Sequence, residues 1–321
     1  MNDESWMNRF RDAQARIAPY IERTRCVQVP ELGAITGGAA YLKLENEQVT
    51  GSFKARGAVH KLLQITEAAR SGGVLAASSG NHGAAVAYAA SRLGCPATVF
   101  VPNYASEVKK SAIQGYGATV HVEGDDCVDT EALARVAAAE RDLPYVSPYN
   151  DEQVMIGQGS TAVEILEQVP SVEVVLVALG GGGLIGGMGR YLKAASPNVE
   201  VIAVSPEKSP AMHRCMEAGE SIEVPCFKTL SDATAGGVEP GAITVDVCCE
   251  VVDRSILVSE EAIASGMRWL YTHHGMVVEG AAGMALAGFF ELAEYLKGKQ
   301  VVVVICGANI DEQTRREVLG K

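Results

Sequence analysis

VEVVLVALGGGGLIGG, residues 172–187, runs from an apolar, β-rich segment straight into four consecutive glycines and then into a helix-compatible stretch. It reads as a strand, and near the end of the chain the unbroken apolar run of VVVVICG suits a strand covered on both faces, as in a parallel sheet. The N–H groups of a turn that opens a helix have no intrahelical acceptor, and glycines let them converge on an anion without side-chain obstruction. Four adjacent glycines also cost backbone entropy, which argues for a ligand rather than for a merely structural turn. Two anions remain open. One is a simple phosphate group; the other is a dinucleotide, because Gly181, Gly183 and Gly186 satisfy G-x-G-x-x-G after a strand. A dinucleotide site ordinarily wants an acid at the end of the next strand, and here VEVIAVS ends at Ser205, with Glu207 slightly late.

Outward from this stretch the chain keeps one rhythm. From about residue 73, VLAAS, AAVAYAASRLG, ATVFVP, SEVKKSAIQGYG, ATVHVEG and a helix near 125–142 alternate strand with helix, and a helix near 153–169 precedes the opening stretch. VEVIAVS and VVVVICG supply later strands, so parallel sheets built from βαβ units are predicted. At 321 residues the chain exceeds one ordinary core, and two packed lobes are expected. Pro144, Pro148 and the polar PYNDEQ stretch place one lobe boundary at about 144–153, and another falls around 67–73. The segment 221–255, rich in Pro, Gly and Thr, reads as irregular.

The formal charge of −12 argues against nucleic acid and against an anionic membrane surface, leaving a small molecule as partner. Eight cysteines without a C-x-x-C pair read as reduced thiols, with no metal site. The N-terminus MNDESWMNRF lacks a secretory pattern, and no apolar run approaches the ~20 residues that span a bilayer. A cytoplasmic protein is expected.

Three further stretches carry chemistry. Ser52-Phe53-Lys54-Ala55-Arg56-Gly57 precedes an expected helix; alone, Lys54 there is a solvated surface charge. Ser78-Ser79-Gly80-Asn81-His82-Gly83 lies where VLAAS stops and a helix starts, a receptor for a carboxylate or simply a capped turn. Cys306-Gly307-Ala308-Asn309 follows VVVVI, at the carboxyl end of a buried strand, where open α/β sheets place ligands.

GSFKARGA, SSGNHGAA, GGGGLIGG and CGANI, in this order and at these separations, resemble the fold-type-II pyridoxal-phosphate enzymes, most closely the threonine/serine dehydratase and serine racemase group, over nearly the whole chain. The resemblance implies a two-lobed α/β fold like that of the tryptophan synthase β chain, each lobe a mostly parallel twisted sheet flanked by helices. Residues 1–68 and 150–321 would form the large cofactor-binding domain, and 69–149 the small domain. It implies that Lys54 forms the Schiff base with pyridoxal 5'-phosphate and serves as the catalytic base, with Phe53 packed beside the cofactor. Asn81 would contact the phenolic oxygen; Gly180, Gly181, Gly182 and Gly183 would hold the phosphate; Ser78, Ser79, Gly80 and His82 would receive the substrate carboxylate. Cys306 takes the place opposite the pyridine nitrogen that serine takes in bacterial threonine dehydratases. A thiol does not enforce a pyridinium, which favours β-elimination of a β-hydroxy amino acid such as L-threonine or L-serine to a 2-oxo acid and ammonia. A homodimer is also implied.

The chain departs from the pattern in places. Ser205, Ser209 and Ala211 stand where relatives carry acids for a divalent cation, so no tight site of that type is expected. Asp232-Ala233 replaces D-G over the ring, and Glu279, the glutamate near the ring, is followed by glycine. No regulatory extension follows Lys321, which suggests a catabolic role. Racemisation is the nearest rival, with Ser79 placed to protonate the opposite face of Cα. The stretch AGGVEPGAIT, 235–244, resembles that of dehydratases of hydroxyaspartate, phenylserine or hydroxyectoine-derived amino acids.

Overall fold

The computed structural model describes residues 3–125 and 127–320, in which nine strands form two sheets. The strands are β1 (Cys26–Gln28), β2 (Ala39–Lys43), β3 (Val74–Ala77), β4 (Ala97–Val101), β5 (Thr119–Val122), β6 (Val174–Ala178), β7 (Glu200–Pro206), β8 (Arg254–Val258) and β9 (Gln300–Val304). The larger sheet has the order β1-β2-β9-β6-β7-β8 and is parallel except for β1. The smaller, β3-β4-β5, is wholly parallel.

The unbroken apolar runs are buried as their composition requires. Every residue of β6 is buried, and so are Val301, Val302, Val303 and Val304 of β9. Leu176 of β6 lies between Ile202 of β7 and Val303 of β9, and this parallel pairing brings the carboxyl ends of β6 and β9 to one edge of the sheet. Gly180 and Cys306 follow those two ends. The helix Gly183–Ala195 returns from the glycine run and crosses the helix Glu152–Gln168. A Cβ on Gly187 would lie 2.0 Å from the Met155 carbonyl oxygen, so this crossing requires glycine there.

The core around the smaller sheet includes Val74, Ala76, Val99 and Val101, together with Ile17, Val59, Leu62 and Val154 from outside the 69–149 segment. The segment 221–255 is not irregular throughout. Ile243–Val251 is a helix despite its β-branched content, because Val245, Val247, Cys248 and Val251 are buried, with the Val251 methyls filling the space beside Gly189. Tertiary packing outweighs propensity in so short a segment. The strands β1 and β2 precede the alternation that begins near residue 73 and lie where the sequence assigned no strand. No helix among the described residues is long and apolar enough to cross a membrane.

Candidate active site

Lys54 begins the helix Lys54–Gln64, and the residues before it are pinned to the end of β9. The Phe53 N–H donates to the Cys306 carbonyl (3.1 Å), the Ala308 N–H donates to the Gly51 carbonyl (2.8 Å), and Ser52 bridges Gly307. Two motifs separated by some 250 residues therefore form one seam. Lys54 Nζ donates to the Pro148 carbonyl (2.7 Å) and sits 5.2 Å from the centre of the Phe53 ring. Burial lowers the lysine to about 8, against the opposing pull of Glu131, Glu279 and Cys306. At pH 7.5 an amine of that pKa is neutral about 200 times more often than an ordinary lysine.

Around the end of β9 four side chains interlock. Asn81 Nδ2 donates to Glu279 Oε2 (2.7 Å), Asn309 Nδ2 donates to Asn81 Oδ1 (2.7 Å), and the Cys306 thiol donates to Glu279 Oε1 (3.6 Å). Burial raises Glu279 to about 7, with Asp232 adding to the rise, while the hydrogen bonds from Asn81 and Cys306 and the charge of Lys54 oppose it. Burial and then Glu279 push the Cys306 thiol well above its ordinary value, so it stays protonated. Asn309, quoted in its motif without a role, is what holds the Asn81 amide in place.

The loop after β3 opens the helix Asn81–Arg92. The Gly80 N–H donates to Ser78 Oγ (3.1 Å), and a Cβ on Gly83 would lie 2.2 Å from the Ser78 carbonyl oxygen. Among the described residues, the N–H groups of Asn81, His82 and Gly83 find no main-chain acceptor, and Ser79 Oγ has no hydrogen bond. His82 is buried; its Nε2–H donates to the Val146 carbonyl (2.8 Å), and its Nδ1 has no hydrogen-bond partner among the described residues. Burial, then Lys54, holds the ring down at about 3, so it is neutral. What His82 offers a carboxylate is its main-chain N–H, not a charged ring.

At the end of β6, the N–H groups of residues 180–185 have no main-chain acceptor among the described residues. Tyr149 covers this turn: a Cβ on Gly181 would lie 2.4 Å from its Cγ, and one on Gly183 would lie 3.0 Å from its Cα. Tyr149 Oη accepts from the Glu239 N–H (3.0 Å), and Asn150 Oδ1 accepts from the Ile243 N–H (2.9 Å), clamping 239–243 beside the glycines. The Thr244 hydroxyl, fully buried near Gly182, has no hydrogen-bond partner among the described residues. At the end of β7, Ser205 is buried and Glu207 is exposed. The acid that a dinucleotide ribose would need is missing from the place where that reading requires it.

Residues 17–307 match the family of pyridoxal-phosphate dependent enzymes. The chain belongs to that family. It is 38% identical to an L-threonine ammonia-lyase of Thermotoga maritima over 97% of this chain and 77% of that one. It is 37% identical to a catabolic L-threonine dehydratase of Staphylococcus aureus, over 94% and 88%. Among solved structures, the processed threonine deaminase isoform 2 of Solanum lycopersicum superimposes with a TM-score of 0.93, at 27% identity, covering all of this chain and 94% of that one. Maize serine racemase gives 0.91 at 30% identity, over 98% and 96%.

The residues present fit pyridoxal phosphate. A half-buried amine with a lowered pKa, a run of free N–H groups with an unpartnered buried hydroxyl, and a protonated thiol on a neighbouring strand end match its aldehyde, phosphate and pyridine nitrogen. Uptake of pyridoxal phosphate by cofactor-free protein is accordingly expected to quicken up to about pH 8 and level off above it, followed by absorbance after mixing. A profile still climbing at pH 10 would show an ordinary lysine. Gly181→Ala, which drives a methyl into the Tyr149 ring, is expected to weaken cofactor affinity about 10- to 100-fold, as overpacking of ~1–3 kcal/mol requires; titration of the cofactor band measures it.

Sequence reasoning missed Tyr149, which it treated only as part of a boundary. Thr244 was quoted only as the end of the AGGVEPGAIT stretch, with no role.

Proposed function

We propose that this chain is a catabolic ammonia-lyase that removes water and then ammonia from β-hydroxy amino acids of the threonine and serine kind, leaving a 2-oxo acid. The observation that carries the reading is Lys54 Nζ, depressed toward neutrality and seated between a free N–H turn and a protonated, uncharged Cys306. The relatives named as threonine ammonia-lyase and catabolic threonine dehydratase support it.

In this reading the substrate carboxylate is held by the N–H groups of Asn81, His82 and Gly83 with the Ser78 and Ser79 hydroxyls and Gly80. Gly180, Gly181, Gly182 and Gly183 hold the phosphate, Phe53 packs beside the ring, and Asn81, braced by Asn309 and Glu279, meets the phenolic oxygen. Bound pyridoxal phosphate supplies the electron sink that makes the Cα proton acidic. Lys54 Nζ would take that proton. The electron pair forms the Cα–Cβ double bond, the Cβ–O bond breaks, and the hydroxyl leaves with a proton as water. Hydrolysis then returns one water, so a β-hydroxy amino acid becomes a 2-oxo acid and ammonium. Because Cys306 is neutral, nothing fixes a positive charge on the pyridine nitrogen, which suits elimination.

Residues 69–149 act as a small domain closing on the domain formed by 1–68 and 150–321, a division supported by their separate sheets. A cytoplasmic homodimer completes the reading; every described cysteine whose side chain is placed is a free thiol, in keeping with a reducing compartment. The test is to incubate holoenzyme with L-threonine and L-serine and score 2-oxo acid, ammonia and inversion. Racemisation is the second reading, favoured by the unpartnered Ser79 hydroxyl. D-serine formed faster than pyruvate would establish it and remove the first.

A further inference from the structure

Glu279 stands just before the helix Gly280–Glu291, 1% exposed, with its carboxyl lying against Gly307 at the end of β9. Among the described residues it makes no ion pair; its side-chain hydrogen bonds run to Asn81 and Cys306, while Lys54 Nζ turns to the Pro148 carbonyl. A carboxyl so placed is held as the neutral acid, because a buried charge without a counterion costs far more than keeping a proton. Burial raises Glu279 to about 7 and Asp232 adds to the rise, against Asn81, Cys306 and Lys54. Asp232, Cys306 and Lys54 are the titratable groups that face it.

Which of its two oxygens carries the proton follows from the amides beside it. The Thr50 carbonyl can only accept, so the Asn309 atom 2.9 Å from it is Nδ2. The same nitrogen lies 2.7 Å from Asn81, so the atom it meets there is the acceptor Oδ1. The other end of the Asn81 amide is then Nδ2, a donor, and Glu279 Oε2, 2.7 Å away, must accept. That leaves Oε1, 3.6 Å from Cys306 Sγ, as the protonated oxygen.

A thiol has one hydrogen to give. Facing a carboxylate, Cys306 spends it on Oε1. Facing an acid whose proton is on Oε1, the sulfur accepts, and its own hydrogen is free for another acceptor. The contact between Sγ and Oε1 serves either direction of donation.

We propose that Glu279 is a positioning residue: as a neutral acid it donates from Oε1 to the Cys306 sulfur and so turns the thiol hydrogen toward the pyridine nitrogen of the bound cofactor. This rests on the cofactor placement of the reading above and deepens it. No proton changes hands; one stays on Oε1 and one on sulfur. Once Glu279 ionises, the thiol hydrogen returns to Oε1 and is withdrawn from the ring nitrogen.

Cofactor-loaded parent, Glu279→Gln, Cys306→Ala and Cys306→Ser should be scanned by absorbance from pH 6 to pH 9. In the parent the cofactor band is expected to shift with a midpoint near 7. Glutamine keeps a neutral side chain with an acceptor for Asn81 and a donor for Cys306, so in Glu279→Gln the band should hold the parent's low-pH position throughout. The shift should vanish in Cys306→Ala, because the thiol transmits it, and return in Cys306→Ser, which again has one hydrogen to give. A second readout needs no cofactor. Cofactor-free parent should lose stability in urea relative to Glu279→Gln as pH rises from 4.5 to about 7, and no further above, since only the unfolded chain sheds that proton in this range.

A shift that persists in Glu279→Gln overturns the proposal. One that persists in Cys306→Ala also overturns it, by routing Glu279 through Asn81 instead. A gap in urea that stays constant with pH does the same, by showing that Glu279 ionises as an ordinary carboxyl. Parent that binds the cofactor without any shift ends the proposal alone; parent that binds none ends the cofactor reading and the proposal with it.

Discussion

Lys54→Ala is expected to lower turnover of any amino acid by at least about a thousandfold while leaving the fold intact. The loss is chemical. The Nζ makes one hydrogen bond, to the Pro148 carbonyl, and its lowered pKa shows that burial already disfavours its charge. Alanine at the first position of a helix keeps the seam between 51–53 and 306–308, which is made of main-chain bonds. Cofactor-free variant and cofactor-free parent should therefore melt within a few degrees of one another. The variant should lack the absorbance band that borohydride bleaches in the parent, and ammonia release should fall to background. Lys54→Arg should fail as completely, because a guanidinium stays protonated and can neither join the aldehyde nor accept the Cα proton. Recovery of part of the activity by added ethylamine would separate loss of the amine from damage to the site. Turnover retained within tenfold in Lys54→Ala would end the assignment of Lys54 as base.

The two ends of the site differ in how far they could be read from the chain. The glycine run and the residues after VVVVI were legible because each follows an unbroken apolar run, and a strand buried on both faces must release its chain at a sheet edge. That these two edges are neighbours was not legible: β6 and β9 are adjacent in the sheet although some 125 residues separate them. The bond from Phe53 to Cys306 was hidden for the same reason, since main-chain pairing leaves no trace in side-chain identity. The pair of Arg135 with Glu239 was hidden differently. Glu131 and Arg135 are four apart on one helix and look like an ordinary surface pair. In the fold the Arg135 guanidinium instead lies 2.8 Å from Glu239 Oε2, more than a hundred residues on.

Arg56→Leu is expected to cost about 3–5 kcal/mol of stability, the usual result of stripping one partner from a buried ionic network. Arg56, Glu45, Lys43 and Glu164 are almost wholly excluded from solvent, and they close on themselves. Arg56 reaches both oxygens of Glu45 (2.7 and 2.8 Å) and both of Glu164 (2.7 and 2.9 Å), while Lys43 Nζ binds Glu164 and the Thr24 carbonyl. Two cations meet two anions, so removing the guanidinium leaves one negative charge buried without a partner. Arg56→Lys should cost less but not nothing, since an ammonium cannot span both carboxylates with paired donors. The pH dependence carries a sign. Burial alone would raise Glu45, but Arg56 outweighs it and, with Lys43 and Thr24, holds the carboxyl below its ordinary value. The parent's share of stability from Glu45 is therefore constant above that value and is lost only as pH falls below it. In Arg56→Leu burial acts with that opposition removed and the Glu45 carboxyl rises, so the variant recovers as Glu45 protonates. The gap between parent and variant in urea unfolding should shrink from pH 7.5 to pH 5. A gap that stays constant would mean that Arg56 contributes packing rather than charge. Because Arg56 stands two residues after Lys54 in the same helix, weaker cofactor binding should accompany the loss, and restoring the charge in Arg56→Lys should recover more of that binding than of the stability.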